Sequence, residues 1–281
     1  MAKQKSKSSA RSGYGYGGYG GNGYGGYGKT DSMFAVQEAY KAIRTNIILS
    51  VIKDGCKKLV ITSSVPHEGK STTAVNLSIS LAQAFKRVLL VDCDLRKAKI
   101  HRALGIPGDP GLTNVLSGLA DITDAVHATK YQNLYCLPAG LAAPNPAEML
   151  ASERMSSTLA QLETQFDYII FDTPPINVVS DALPLIKISD GVVLIVRTGI
   201  TVYSDFDQAL SALEFIEAHI VGVIVNDDNG EEEGGYGGYG KYGKYGKYGS
   251  SYGYGGYDKR RSVESEKPAE KEEKEEIEKI D

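Results

Sequence analysis

The chain has 281 residues and a formal net charge of −4, with 31 lysine and arginine residues against 35 aspartate and glutamate residues. This balance lacks the basic excess typical of nucleic-acid-binding proteins, so no nucleic-acid partner is expected. The three cysteines have no Cys-x-x-Cys spacing, which favours a reduced, cytoplasmic protein. No apolar run approaches the ~18–20 residues of a membrane-spanning helix, and the basic start is not followed by the apolar region of a signal peptide.

Both ends of the chain are low in complexity. Residues 1–30 join a basic start to a Gly/Tyr-rich run, and residues 231–281 join a tyrosine cluster to a charged end. Such segments lack the apolar content that offsets the entropy lost on ordering, so we predict disordered tails. Residues 31–230 remain between them and suit one α/β domain.

The domain begins with a predicted helix whose N-cap would be Asp31 or Ser32. Its apolar residues at helical spacing are Val36, Tyr40, Ile43, Ile47 and Val51. Glu38, Lys41 and Arg44 share an adjacent face of this helix. Such a stripe is usually a solvated surface, but it also fits a charge-paired contact between subunits, and the spacing leaves both interpretations open.

A phosphate-binding loop is predicted after the next strand. Residues 59–62 are an apolar, β-branched strand, and Gly69-Lys70-Ser71 opens a helix. Backbone N–H groups at a helix start favour phosphate, Lys70 would contact the β- and γ-phosphates, and the Ser71 hydroxyl would bind Mg²⁺. Ser64 stands where the general pattern has glycine, so the loop must turn in another way.

An apolar helix surface running from Val75 to Phe85 is predicted to lie buried on the sheet. The strand at residues 88–91 follows, and it ends in Asp92 and Asp94. Ligands of open parallel sheets lie at the carboxyl ends of the strands, so both carboxylates should face the same edge as the phosphate loop. A solvated Asp-x-Asp turn is the alternative interpretation.

A third acidic strand end follows a looser region. Residues 107–111 predict a turn, residues 112–116 a short helix, and residues 134–137 a strand that Pro138 stops. Residues 138–146 are a candidate active-site loop, after which Asn145 starts a helix. Residues 168–171 then form a buried strand ending in Asp172, which resembles the acid that holds the water shell of a nucleotide-bound metal.

Residues 191–196 and 221–225 predict two more buried strands, with a helix over residues 203–219 between them. Asn226 ends the last strand and is a candidate contact for the base of a nucleotide, although a plain turn fits it equally well. The pattern gives about five strands, each followed by a helix. It predicts a doubly wound, mostly parallel sheet of the P-loop NTPase type.

These strand ends together suit Mg²⁺-nucleotide binding and phosphoryl transfer. The predicted catalytic residues are Lys70, Asp92 and Asp94, and the predicted magnesium ligands are Ser71, Asp92 and Asp172. With water as the acceptor, the protein would be an ATPase. The Gly-rich tail offers another acceptor in its tyrosines: Tyr236, Tyr239, Tyr242, Tyr245, Tyr248, Tyr252, Tyr254 and Tyr257. The same repeats also fit a sticky, self-associating tail.

The domain resembles the bacterial protein-tyrosine kinases that regulate capsule and exopolysaccharide synthesis. Residues 63–72 match the Walker A motif, and through it Glu68, Gly69 and Thr72 join Lys70 and Ser71 as predicted nucleotide-binding residues. Residues 88–96 match Walker A′, residues 168–175 match Walker B, and residues 137–140 and 144–148 also resemble the family. Lys41 departs from the family's Glu-x-x-Arg-x-x-Arg oligomer motif, which falls on Glu38, Lys41 and Arg44.

The resemblance implies ATP-dependent autophosphorylation of the tail tyrosines in trans, within a ring-shaped oligomer, with Asp92 as the base. It also implies a membrane adaptor of the polysaccharide co-polymerase type that recruits a cytoplasmic chain to the inner face of the plasma membrane, and a cognate tyrosine phosphatase. A partition or positioning ATPase of the same fold is the rival class, but Val65 stands where that class carries a signature lysine. A pure interaction scaffold is the third possibility.

Overall fold

A computed structural model of the chain describes residues 29–226, so the tyrosine-rich tails lie outside the described residues. Within that range seven strands form one sheet in the order β3-β4-β2-β5-β1-β6-β7. The strands are β1 (Lys57–Ser63), β2 (Val88–Asp92), β3 (His127–Ala128), β4 (Leu134–Leu137), β5 (Tyr168–Asp172), β6 (Gly191–Arg197) and β7 (Ile220–Asn226). Neighbouring strands run parallel except β3, which is antiparallel to β4.

Helices cover both faces of the sheet. They are α1 (Lys29–Ser50), α2 (Lys70–Gln83), α3 (Ile100–Leu104), α4 (Leu112–Ser117), α5 (Ile122–Ala125), α6 (Pro146–Leu150), α7 (Glu153–Glu163), α8 (Leu183–Ile188) and α9 (Tyr203–Phe215), with a 3₁₀ turn at Ser180–Ala182. Successive strand residues point to opposite faces, so Leu59 and Ile61 pack with α1–α3 while Val60 packs with α4–α9. The predicted doubly wound fold is therefore confirmed.

The centre of the sheet fixes the functional edge. β2 and β5 are buried along their whole length, as expected of parallel strands covered on both faces. In the register of the sheet, Asp92 lies opposite Asp172, and Asp172 lies opposite Ile61 of β1. The acidic ends of β2 and β5 are thus neighbours, and both stand beside the strand that leads into the phosphate loop.

Several predicted boundaries were wrong. The sheet has seven strands rather than about five: six of them lie at the predicted strand segments, and the seventh, β3, has two residues and is too short to leave a sequence pattern. Helix α1 begins at Lys29, so Asp31 lies within the helix rather than at its cap. Phe85 is 88% exposed rather than buried, because α2 ends at Gln83 and the chain turns through Phe85 at φ 61°. Helix α9 ends at Phe215, four residues before the predicted end.

None of the helices within residues 29–226 has the length and apolar character needed to cross a membrane.

Candidate active site

The phosphate loop joins β1 to α2, and its turn does not use Ser64. His67 and Gly69 take positive φ angles of 73° and 91°, and α2 begins at the next residue, Lys70. A Cβ atom at Gly69 would lie 2.5 Å from the Asn226 side-chain nitrogen, so a larger residue would displace the Asn226 amide group in addition to straining the backbone. The loop therefore turns three and five residues after Ser64, where the exposed His67 and Gly69 adopt the left-handed conformation.

Glu68 holds the loop from within. It is fully buried, its Oε2 accepts a hydrogen bond of 2.8 Å from the Val65 backbone N–H, and its Oε1 accepts one from the Thr201 hydroxyl. Burial raises the pKa of the Glu68 carboxyl, while these hydrogen bonds oppose the shift. The Glu68 carboxylate thus connects the loop to the turn after β6, and its predicted contact with the nucleotide stays a prediction.

Residues at the ends of β6 and β7 also form hydrogen bonds with the phosphate loop. Arg197 at the end of β6 donates from Nη1 to the His67 carbonyl at 3.0 Å. Asn226 at the end of β7 donates from Nδ2 to the Glu68 carbonyl at 2.7 Å and to Thr73 Oγ1 at 3.3 Å. The Asn226 amide group is thus hydrogen-bonded to the phosphate loop and to α2. A contact between Asn226 and a nucleotide base stays a prediction.

Lys70 lies between two of the three predicted carboxylates. Its Nζ is 3.1 Å from Asp94 Oδ2 and 3.5 Å from Asp172 Oδ1, and it donates to the Ser71 hydroxyl at 3.3 Å. Lys70 is 6% exposed, Asp94 2% and Asp172 1%, so this cluster is shielded from water. Burial raises the pKa of Asp172, against the opposing effect of the Lys70 ammonium.

Asp92 belongs to the same cluster but is directed into the Walker A′ loop. Its Oδ2 accepts from the Lys99 and Ile100 N–H groups at 3.0 Å each, and its Oδ1 accepts from the Asp94 N–H at 3.3 Å. Burial, followed by repulsion from Asp172, raises the pKa of Asp92 to about 7. The structure therefore brings Lys70, Asp92, Asp94 and Asp172 to one edge of the sheet.

The residues present fit a magnesium-bound nucleotide. Asp172 Oδ1 is buried and faces the Lys70 ammonium at 3.5 Å, and the Ser71 hydroxyl accepts a hydrogen bond from the same ammonium. Among residues 29–226, no group of three or more His, Cys, Asp or Glu side chains could hold a metal ion. Since Mg²⁺ usually binds one or two carboxylates together with substrate phosphates, Ser71 and Asp172 are the side chains that would hold it here. Thr72 is exposed on the first turn of α2.

Sequence reasoning missed three of the residues that shape this edge. Thr201 and Arg197 carry no motif, and their contacts with the phosphate loop bridge more than 100 residues of sequence. The third is Asp181, which is 1% exposed and paired with Arg96. The candidate loop at residues 138–146 is bonded to the start of α4, where the Leu112 N–H donates to the Pro138 carbonyl at 2.7 Å, and its part in the active site stays a prediction.

The charged stripe on α1 divides into two kinds of contact. Lys41 Nζ and Glu38 Oε1 form an ion pair of 2.7 Å in which both side chains are nearly half exposed. Arg44 instead donates to the Ser80 carbonyl of α2 at 2.7 Å. A subunit contact at this stripe stays a prediction.

Comparison with known proteins identifies the family. A family model described as an AAA domain matches residues 58–221. Tyrosine-protein kinase YwqD of Bacillus subtilis (strain 168) is 41% identical over 189 residues, covering 67% of this chain and 80% of YwqD. Tyrosine-protein kinase CpsD of Streptococcus agalactiae is 39% identical over 194 residues, covering 69% of this chain and 84% of CpsD. The chain belongs to the bacterial tyrosine-protein kinases.

Solved structures agree with this assignment. The kinase domain of the Escherichia coli tyrosine kinase ETK superposes on the kinase with a TM-score of 0.66 at 27% identity, covering 72% of this chain and 80% of that domain. The septum site-determining protein MinD of Pyrococcus horikoshii OT3, complexed with Mg-ADP, gives a TM-score of 0.53 at 26% identity and covers 63% and 72%. The P-loop NTPase-like fold is therefore shared with both kinds of protein, and the protein-tyrosine kinase predicted from the motifs is confirmed.

Proposed function

We propose that this kinase uses Mg-ATP to phosphorylate the tyrosines of its own C-terminal tail, Tyr236 to Tyr257, in trans. The observation that carries the proposal is the cluster at the start of α2, where Lys70 Nζ lies 3.1 Å from Asp94 and 3.5 Å from Asp172. A phosphate-binding loop, a buried ammonium and two buried carboxylates at one sheet edge suit phosphoryl transfer, which depends on alignment and on charge stabilisation.

Each residue of the cluster has a proposed part. Lys70 binds the phosphates at the helix start, and Ser71 and Asp172 hold the magnesium ion that neutralises the developing charge. Asp94 faces the ammonium and orients the acceptor hydroxyl. Asp92 as the base stays a prediction, and its oxygens already accept three backbone N–H groups, so its contribution includes holding the Walker A′ loop in place.

The origin of the tail supports tyrosine as the acceptor. Asn226, the last described residue, contacts the phosphate loop, so the tail starts at the edge of the sheet where the cluster lies. A Gly-rich chain spans about 5–6 Å times the square root of its length, which gives roughly 18 Å from Val225 to Tyr236 and roughly 30 Å to Tyr257. A span of roughly 30 Å would allow the outer tyrosines to enter the site of a neighbouring subunit, so the tail length is compatible with transfer in trans.

The cellular setting is proposed from the family resemblance. The kinase would act in capsule or exopolysaccharide synthesis as a ring-shaped oligomer at the inner face of the plasma membrane. A membrane adaptor of the polysaccharide co-polymerase type would recruit and activate it, and a cognate tyrosine phosphatase would reverse the modification. The charged stripe on α1, formed by Glu38, Lys41 and Arg44, is the proposed contact surface between subunits.

Mixing two full-length variants tests the transfer in trans. A Lys70→Met chain keeps all its tyrosines, and a second chain with the eight tail tyrosines changed to phenylalanine keeps its active site. Incubated together with Mg-ATP, they should place phosphotyrosine on the Lys70→Met chain. Phosphate release without phosphotyrosine would indicate a positioning-type ATPase instead. If neither phosphate nor phosphotyrosine is formed, the protein would be a nucleotide-binding scaffold.

A further inference from the structure

Beside the cluster, Arg96 and Asp181 form an ion pair at the active edge. Arg96 donates from Nε to Asp181 Oδ2 at 2.7 Å and from Nη2 to Asp181 Oδ1 at 3.2 Å. The Asp181 side chain is 2% exposed, whereas that of Arg96 is 46% exposed. Two parallel hydrogen bonds between a guanidinium and a carboxylate fix orientation as well as distance.

Arg96 belongs to the short loop that carries Asp94. Asp94 and Lys97 close a tight turn, in which the Lys97 N–H donates to Asp94 Oδ1 at 3.0 Å and to the Asp94 carbonyl at 3.1 Å. Leu95, between Asp94 and Arg96, is 4% exposed in the core. A displacement of Arg96 would therefore move the backbone of a turn whose first residue faces Lys70.

Asp181 belongs to the segment that follows Asp172, and that segment is bonded to the phosphate loop. The Ile176 N–H donates to the Ser63 carbonyl at 2.9 Å, and the Asn177 N–H donates to the Ser64 carbonyl at 3.3 Å. The Thr62 hydroxyl donates to the Pro174 carbonyl at 3.0 Å. The ion pair of Arg96 with Asp181 therefore connects the Asp94 turn to the segment after Asp172, and this segment is hydrogen-bonded to the phosphate loop.

We propose that Arg96 is a positioning residue for the phosphoryl transfer and that it acts by fixing Asp94 relative to Lys70 through Asp181. The inference rests on the catalytic part proposed for Asp94. A misplacement of about 1 Å in a catalytic group can lower a rate about 100-fold, and lysine cannot reproduce the guanidinium fork. Arg96→Lys keeps the charge and Asp181→Asn keeps the shape, so both variants loosen the pair with little change in volume.

The test measures phosphotyrosine formation by the full-length kinase at varied ATP concentration. For Arg96→Lys and Asp181→Asn we expect kcat to fall about tenfold or more, while KM for ATP and the affinity for ADP stay within about twofold. The matched controls loosen the ion pair of Lys58 and Glu163, 2.7 Å apart, through Lys58→Arg and Glu163→Gln; Lys58 lies at the start of β1, whereas the cluster lies at the carboxyl ends of the strands. Their kcat should stay within about twofold of the wild type.

A double variant separates positioning from general stabilisation. If Arg96 acts through Asp94, Arg96→Lys should lower kcat in the wild type but not in an Asp94→Asn background. An unchanged kcat in Arg96→Lys, equal losses in the Lys58 and Glu163 controls, or additive losses in the double variant would each overturn the inference. Should Asp94→Asn itself keep the wild-type rate, the part proposed for Asp94 would fail, and this inference would fail with it.

Discussion

Lys70 and three buried carboxylates lie together at the active edge. Lys70 approaches Asp94 and Asp172 directly, while Asp92 lies beside Asp172 in the sheet. Burial, followed by repulsion from Asp172, raises the pKa of Asp92 to about 7. Buried carboxylates beside a phosphate-binding loop suit a divalent cation that also takes phosphate ligands.

The raised pKa makes the stability of the nucleotide-free kinase depend on pH. Below the ordinary pKa of 3.8 both the folded and the unfolded chain hold the Asp92 proton, and no penalty arises. As pH rises to about 7, the folded chain still favours the proton that the unfolded chain has lost, so stability falls. Relative to Asp92→Asn, the free energy of unfolding of the wild type should fall by roughly 2–3 kcal/mol between pH 5 and pH 8.

Urea unfolding of both proteins across this pH range measures the difference. Two curves that stay parallel would show that Asp92 does not titrate in this window.

In helix α1, the cation that packs against α2 and the cation that is exposed for a subunit contact are different residues. Arg44 bonds to the Ser80 carbonyl, and the Ser80 hydroxyl donates to the Tyr40 carbonyl at 3.2 Å, so this part of α1 is fixed to α2. Lys41 pairs only with Glu38 among the contacts described for it, on the exposed side of the helix. Removing the side chain of Arg44 should therefore reduce the stability of the fold more than removing that of Lys41.

Arg44→Ala should destabilise the fold by about 1–2 kcal/mol, because the carbonyl of the buried residue Ser80 loses a charged donor. Lys41→Ala should cost less than about 1 kcal/mol, since exposed ion pairs contribute little. If the stripe is a subunit contact, both variants should yield smaller oligomers that autophosphorylate poorly, as measured by light scattering and phosphotyrosine formation. Intact oligomers in both variants would show that the stripe is only solvated surface.

The sequence predicts the elements that carry a local pattern. Runs of four apolar residues before Asp92 and Asp172 indicate buried parallel strands, and strand polarity then places their carboxylates beside Lys70. Contacts such as Thr201 with Glu68 leave no local signal, because they join polar residues from segments far apart in the chain. The end of α2 near Phe85 is also not predictable from the apolar pattern, since a single positive φ angle decides where the helix stops.

At the scale of the whole molecule, the kinase carries its proposed substrate on itself. The net charge is −4, and the C-terminal tail contains eight tyrosines between positions 236 and 257. Each phosphate adds about −1.5 to −2 charges, so full modification would add roughly −12 to −16. The tails of an oligomer would then repel one another at low ionic strength.

Incubation with Mg-ATP should therefore lower the mass of the oligomer seen by light scattering, and the change should shrink in about 1 M salt, where the Debye length is about 3 Å. The chain with all eight tail tyrosines changed to phenylalanine is the control and should keep its mass. A wild-type mass that does not respond to ATP would reject electrostatic loosening of the oligomer.

Tandem mass spectrometry of the full-length kinase after incubation with Mg-ATP tests the central claim most directly, with the Lys70→Met variant in parallel. Phosphate should appear on tyrosines between positions 236 and 257 in the wild type and be absent from the variant, while the variant keeps its cooperative unfolding. Tail tyrosines that remain unmodified in the wild type, or that are modified equally in the Lys70→Met variant, would contradict transfer from the Lys70 cluster to the tail.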